Sequence, residues 1–351
     1  MDYGAIDEQV ARLHPEIKSV AERFVLLRIG NMRGLDLALF DFDYDLTWAA
    51  LMFDSQGRAL GRFGGRDADT AGKYHSLRGL RYSLEQAWQR FERGRQRGDD
   101  GAPRPVASGR RIEEYAGAQR FSAKACFHCH NVNEFRREEQ QAAGIWQKDF
   151  VWVYPEPASL GLTLEVDQGD KVRDVRAGSP AAAAGMRPGD VLRSLQGHAI
   201  ASVADVQYAL HRAPAAGPIA VRWARGGQEH DGKLQVAAGW RESDVSWRWS
   251  LKSMKPEPQV HGEDLSDDEK AKLGMGSRSL AFRQGSFVPR AAQQAGIRIG
   301  DVIVGVDGKQ LEMKARQFET FMRLNYRVGD EVHYDVLRGS QRLKIAVKLP
   351  G

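Results

Sequence analysis

The stretch Ala184-Gly185-Met186-Arg187-Pro188-Gly189-Asp190-Val191-Leu192-Arg193-Ser194-Leu195-Gln196-Gly197 returns as Ala295-Gly296-Ile297-Arg298-Ile299-Gly300-Asp301-Val302-Ile303-Val304-Gly305-Val306-Asp307-Gly308. The offset is 111 residues along the whole stretch. Each copy reads alanine, glycine, apolar, arginine, any residue, glycine, aspartate and then apolar residues. A fixed offset over fourteen positions marks two copies of one module. Within each, the Gly-Asp pair reads as a turn and the apolar run after it as a strand that ends at a second glycine turn.

Working outward from the first copy, Ser179-Pro180-Ala181-Ala182-Ala183-Ala184-Gly185 reads as a short helix feeding the turn. Downstream, Val203-Ala204-Asp205-Val206-Gln207-Tyr208-Ala209-Leu210 places Val203, Val206 and Leu210 at helical spacing. Together these runs resemble PDZ domains of the bacterial type found in periplasmic proteases, over residues 152–240 and 264–350. The resemblance implies a groove between a strand edge and a helix, in which a protein C-terminus or internal strand adds to the sheet. It places the carboxylate-binding loop at Leu160, Gly161, Leu162 and Thr163, with Val206 and Leu210 on the groove helix. These six residues are the candidate peptide-binding set. For Val206 and Leu210, core packing is an equal reading, because a groove helix must also pack on its sheet. The second copy departs from the pattern: Leu280-Ala281-Phe282 stands at the loop position without a glycine, and Gln317–Met322 stands for the helix.

Residues 1–92 read differently. Glu16–Arg23 ends a helix, and Phe24-Val25-Leu26-Leu27-Arg28-Ile29 reads as a strand. Thr47–Phe53, Asp54-Ser55-Gln56-Gly57 and Arg58–Phe63 read as strand, turn and strand. Ser76–Arg93 is an amphipathic helix with Leu77, Leu80, Leu84, Trp88 and Phe91 on one face. This order resembles a thioredoxin-like domain, the likeness resting on Phe53, Asp54, Gly57, Arg62 and Gly65. The redox cysteines of that family are missing: Gly30–Gly34 holds no thiol, and Leu46-Thr47 replaces the proline before the third strand. Asp41, Asp43 and Asp45 alternate, and they read as a solvated polar face, since the glycine and distal glutamate of a calcium loop are absent.

Residues 93–150 form a linker and a cysteine segment. Arg93–Gly109 is rich in Arg, Gly, Asp and Pro and reads as extended chain. Arg110–Gln119 and Asn133–Gly144 read as helices. Between them lies Cys126-Phe127-His128-Cys129-His130, which contains the chain's only two cysteines. C-x-x-C-H is the attachment pattern of c-type haem, with Cys126 and Cys129 as thioether sites and His130 as the iron ligand. The same residues also suit a dithiol pair or part of a zinc site, and no cofactor at all is the further alternative.

The expected fold is therefore α+β and multidomain: a thioredoxin-like α/β domain, then two β-rich PDZ-like modules. The order of parts resembles thioredoxin-like/PDZ proteins of environmental, planctomycete-type bacteria. The 351 residues carry a net charge of +5, with 42% hydrophobic and 28% charged residues, which is ordinary globular composition. The basic residues are dispersed without interleaved aromatics, so no nucleic-acid partner is expected. No run is long and apolar enough for a transmembrane helix. Met1–Glu8 lacks the apolar core of a signal peptide, yet a haem reading requires export. The expected location is thus periplasmic if haem is carried and cytoplasmic otherwise. No G-x-S-x-G motif is present, and a non-enzymatic role is expected. The expectation drawn from all this is a redox-linked scaffold with one haem and a PDZ-bound peptide partner, the alternative being an adaptor whose Cys/His cluster staples a loop.

Overall fold

A computed structural model describes residues 7–10, 12–97, 109–122 and 124–351. The chain falls into two compact units, residues 1–243 and 244–351. Most of the linker expected at 93–109 lies outside the described residues.

In the first unit, helix α1 (Pro15–Ala21) starts with proline at its first position and buries Ile17, Val20 and Ala21. Strands β1 (Ala49–Phe53) and β2 (Ala59–Gly64) form an antiparallel hairpin. Its turn is drawn in by the Asp54 carboxylate, which accepts from the Gln56 and Arg58 amides, both at 2.9 Å. Helix α2 (Leu77–Gln96) is capped by Ser76, whose hydroxyl accepts from the Gly79 amide at 2.9 Å. Its Leu77, Leu80, Leu84 and Ala87 stripe closes over Ile17, Val20, Met52 and Phe63. A second cluster joins Met32, Leu37, Tyr44, Ile112, Phe127, Val132 and Phe135, between two 3-10 turns (Ile112–Glu114, Ala116–Arg120) and helix α3 (His130–Ala142).

The hairpin is the only sheet among the described residues before residue 160. A thioredoxin-like domain needs a central sheet of several strands, so that expectation is not borne out. The reason lies in Phe24–Ile29: it is apolar enough for a strand, but no ladder pairs with it, and Val25, Leu26 and Leu27 stand exposed. The mixed α and β composition and the modules in the C-terminal half are as expected.

The first module contains β3 (Leu162–Leu164), β4 (Val172–Val175), α4 (Pro180–Ala183), β5 (Val191–Leu195), β6 (His198–Ala199), α5 (Val203–His211), β7 (Gly217–Arg225) and β8 (Gln228–Val236). Strands β3 and β4 pair with each other, and the other four form a sheet in the order β6-β5-β7-β8. The second unit repeats the plan with β9 (Gly262–Asp264), α6 (Asp267–Lys272), β10 (Phe282–Gln284), α7 (Arg290–Ala295), β11 (Val302–Val306), α8 (Ala315–Asn325), β12 (Glu331–Arg338) and β13 (Gln341–Lys348). Its five strands run in the order β13-β12-β11-β10-β9.

The repeated Gly-Asp turn has a physical cause in both modules. Asp190 is buried; it accepts from the Arg187 amide at 2.8 Å and takes the Arg225 guanidinium at 2.7 and 2.8 Å. Asp301 does the same with the Arg298 amide at 2.8 Å and with Arg338 at 2.7 Å twice. Each arginine also donates to the carbonyl of the helix-ending glycine, Gly185 or Gly296. A buried carboxylate held by a two-pronged guanidinium is a directional lock. It ties the turn before the module's third strand to the antiparallel strand paired with it. Gly189 and Gly300 sit at φ +90° and +83°, in the left-handed region that only glycine enters freely.

Candidate functional site

The groove of the first module is built from the turn Pro157–Leu160, strand β3 and helix α5. Gly161 follows the turn at φ +80°, and a β-carbon there would lie 2.2 Å from that of Ser179, so no other residue fits. Its carbonyl accepts from the Arg176 amide at 2.8 Å, which fixes the loop against β4. Leu160, Leu162, Val206 and Leu210 are all at most 1% exposed and share one core cluster. Thr163, between them, is only half-buried and pairs with Asp174. The structure thus brings the six candidate residues together, and four of them serve as core.

The helix face beside β3 is covered by the chain itself. Gln207 is 4% exposed and donates through its side-chain amide to the carbonyls of Arg66, at 3.0 Å, and Tyr154, at 3.5 Å. The Tyr154 ring stacks on His211 with centroids 4.3 Å apart. At the helix start, the Arg62 amide donates to Asp205 at 2.9 Å and the Ser202 hydroxyl donates to the Arg62 carbonyl at 2.5 Å. The Ala68 amide donates to Glu156 at 3.1 Å, immediately before the loop. Tyr74 enters the module's core cluster.

In the second module, β10 pairs with β9 as β4 pairs with β3, and it leads into α7 as β4 leads into α4. Leu280-Ala281-Phe282 therefore belongs to the counterpart of β4, and the expected placement of a ligand loop there is corrected. The true counterpart is the stretch 257–262, in which Val260 is fully buried as Leu160 is. The shift arises because residues 265–281, including α6, replace the shorter 165–171 connection. Helix α8 spans the expected Gln317–Met322.

Backbone bonds from Gly285 to His261, at 3.0 Å, and from Leu265 to Ala281, at 2.9 Å, show which way β9 faces. In an antiparallel ladder alternate residues bond to the neighbour. Here His261, Glu263 and Leu265 turn to β10, so the backbone groups of Gly262 and Asp264 point outward. β9 ends the sheet. The Asp264 carboxylate accepts from the Ala315 amide at 2.8 Å, tying the strand to the first turn of α8.

Cys126, Cys129 and His130 lie at the start of α3. Cys126 is exposed and Cys129 partly buried, and burial pushes the Cys129 thiol up from its ordinary pKa. The Nδ1 of His130 lies 2.9 Å from Glu134, a hydrogen bond that raises the imidazole pKa. The Asn131 side chain accepts from the His128 amide at 2.9 Å and donates to Glu134 at 3.0 Å, so the motif acts locally as a helix-start network. Among the described residues no group of three or more His, Cys, Asp or Glu converges on a metal position. The aspartates expected to be solvated are not: Asp43 and Asp45 are buried, while Asp41 accepts from the Tyr154 hydroxyl at 2.8 Å and pairs with Arg212.

Residues 171–225 and 288–349 each match the PDZ domain family, so the chain carries two PDZ domains. It is 27% identical over 193 residues to a probable periplasmic serine endoprotease, DegP-like, of Hahella chejuensis, covering 54% of this chain and 40% of that protein. It is 28% identical over 187 residues to a probable periplasmic serine protease, do/HhoA-like, of Haemophilus influenzae, covering 53% and 37%. The chain thus spans about two-fifths of the length of these relatives. Among solved structures, the HtrA-type protease AlgW with a decapeptide matches at 16% identity over 37% of this chain and 41% of that one, with a TM-score of 0.22.

These relatives overturn the haem-bearing redox scaffold. The proteins this chain is similar to are described as periplasmic serine proteases, DegP-like and do/HhoA-like, not electron carriers. Neither relative is a thioredoxin-like/PDZ protein of planctomycete type. No helix among the described residues is long and apolar enough to cross a membrane.

Proposed function

We propose that this chain captures peptide segments of other proteins at the outer edge of β9, beside α8. One observation carries the reading: the outward backbone groups of Gly262 and Asp264, on the last strand of a sheet flanked by a helix. An extended segment adding there would gain ladder hydrogen bonds, and its side chains would lie over α8. Glu319 occupies the fifth position of α8, as Gln207 does in α5, and forms an ion pair with Arg323 at 3.6 Å. Charge at this position would bias which peptides enter. The description of the relatives as periplasmic serine proteases supports protein chains as the ligand and the periplasm as the location.

The test is hydrogen exchange read amide by amide. The Gly262 and Asp264 amides should exchange fast in the free chain and become protected with a saturating C-terminal peptide from an apolar library. No gain of protection with any peptide of the library overturns the proposal.

A further inference from the structure

The two grooves differ in one respect that bears on which of them can act, and the inference rests on the peptide-capture reading above. We propose that residues Gly65–Tyr74 act as a built-in occupant of the first module's groove, so that the intact chain takes external peptide at the second module alone.

The segment leaves β2 at the start of α5, where Arg62 is bonded through its amide to Asp205 and through its carbonyl to Ser202. It then passes along the helix face that should line a peptide site. A β-carbon at Gly65 would lie 3.5 Å from Val203 Cγ1 and 2.5 Å from Gln207 Oε1. Gln207 donates its amide protons to the carbonyls of Arg66 and Tyr154. Next the Ala68 amide reaches Glu156, beside the ligand loop. The turn that follows is shaped by the Asp67 carboxylate, which accepts from the Asp69 and Thr70 amides at 3.1 and 2.9 Å and pairs with Lys73. Tyr74 then inserts its ring into the cluster that holds Leu160, Leu162 and Leu164. Beyond it, α2 continues along the far end of β3: Tyr82 donates to Asp170 at 2.8 Å, and Gly79 leaves no room for a β-carbon, which would sit 2.7 Å from the Val166 carbonyl.

The occupant covers the helix side of the groove without taking the ladder positions on β3. No backbone bond joins residues 65–74 to Leu162 or Leu164 among the described residues. It is therefore a lid of side chains and carbonyls, displaceable without breaking a sheet. The ligand it imitates is a peptide whose carbonyl faces Gln207 and whose aromatic side chain joins the module's core cluster.

The experiment uses the full chain and the same apolar C-terminal peptide, with two variants. Gly65→Val puts a branched residue at φ +86°, a backbone conformation it rarely adopts, and displaces the Gln207 side-chain oxygen, which should loosen the segment from the helix. Gln207→Ala removes the tether to Arg66 while leaving all backbone intact, and it keeps the test open if Gly65→Val fails to fold. Calorimetry should give one peptide per wild-type chain and two per chain for at least one folded variant. The Leu162 and Leu164 amides should gain protection only in that variant. A wild-type chain that already protects Leu162 and Leu164 overturns the proposal, as do folded variants that still protect only Gly262 and Asp264. Failure of the second module to bind is read at Gly262 and Asp264, and so is told apart.

Discussion

At the scale of single residues, Asp205 carries an unusual load. It is buried at the start of α5, accepts from the Ala201 amide at 3.0 Å and from the Arg62 amide at 2.9 Å, and has Arg90 3.9 Å away. Burial raises its carboxyl to about 6, more than Arg90 and Arg62 pull it down. Its folded pKa thus lies above the unfolded value of 3.8. The folded state then binds more protons between these values, and stability falls as pH rises from about 4 to about 6. Asp205→Asn should remove this share of the pH dependence. The difference in urea midpoint between variant and wild type should therefore drift in the variant's favour across that window, and a constant difference would count against the assignment. Asp190 behaves oppositely. Burial alone would raise it, but Arg225 and the Arg187 amide outweigh that and hold it below its usual range. Its contribution is present at neutral pH and is lost as pH falls below about 4.

At the scale of elements, the sequence showed helices and turns better than it showed partners. The stripe Leu77, Leu80, Leu84 became the buried face of α2, and Asp54-Ser55-Gln56-Gly57 became the hairpin turn. Truncating that stripe at Leu80, which is 2% exposed, should cost about 2–5 kcal/mol, measured as the fall in unfolding free energy of the full chain. A strand is different, because its pattern says only that it has an apolar face. Phe24–Ile29 has the composition but no partner strand among the described residues, and nothing local in those residues tells the two cases apart. The second ligand strand was missed for a related reason. Gly262-Glu263-Asp264 is polar where Leu162-Thr163-Leu164 is apolar, so the copies align poorly at the site even though they align well at the Gly-Asp turn. A usable signal stood beside it: Ser266 and Glu269 form a capping box, which marks α6 as an inserted helix and moves the ligand strand upstream of it. The cysteine motif shows the limit of spacing arguments. C-x-x-C-H specifies which thiols could meet a porphyrin, but it does not specify the partner of its histidine, which here is Glu134 one turn on.

At the scale of the whole molecule, the two units carry separate cores. That of the second unit joins Val260, Phe282, Ile303, Phe318, Met322, Tyr334 and Val347, all at most 1% exposed. A chain of residues 244–351 alone should therefore unfold in one cooperative thermal transition and retain the peptide-induced protection of Gly262 and Asp264. A gradual melt with no transition would show that its core does not suffice. Replacing Cys126 and Cys129 together with serine should leave peptide affinity at the second module within about twofold, because nothing in the capture site draws on them. An affinity loss of tenfold or more, about 1.4 kcal/mol, would give the cysteines a role in capture.

The bond from the Ala315 amide to Asp264 makes one residue answer to two structures at once. It belongs to the strand that a visiting peptide would extend, and it also supplies the anion that holds the first turn of α8. Any guest bulky enough to spread strand from helix must loosen that fastening. A small guest can slide in and leave it closed. On the capture reading, the second module would then gauge a guest by girth as well as by sequence, and a loosened bond would register as fraying at the opening turn of α8.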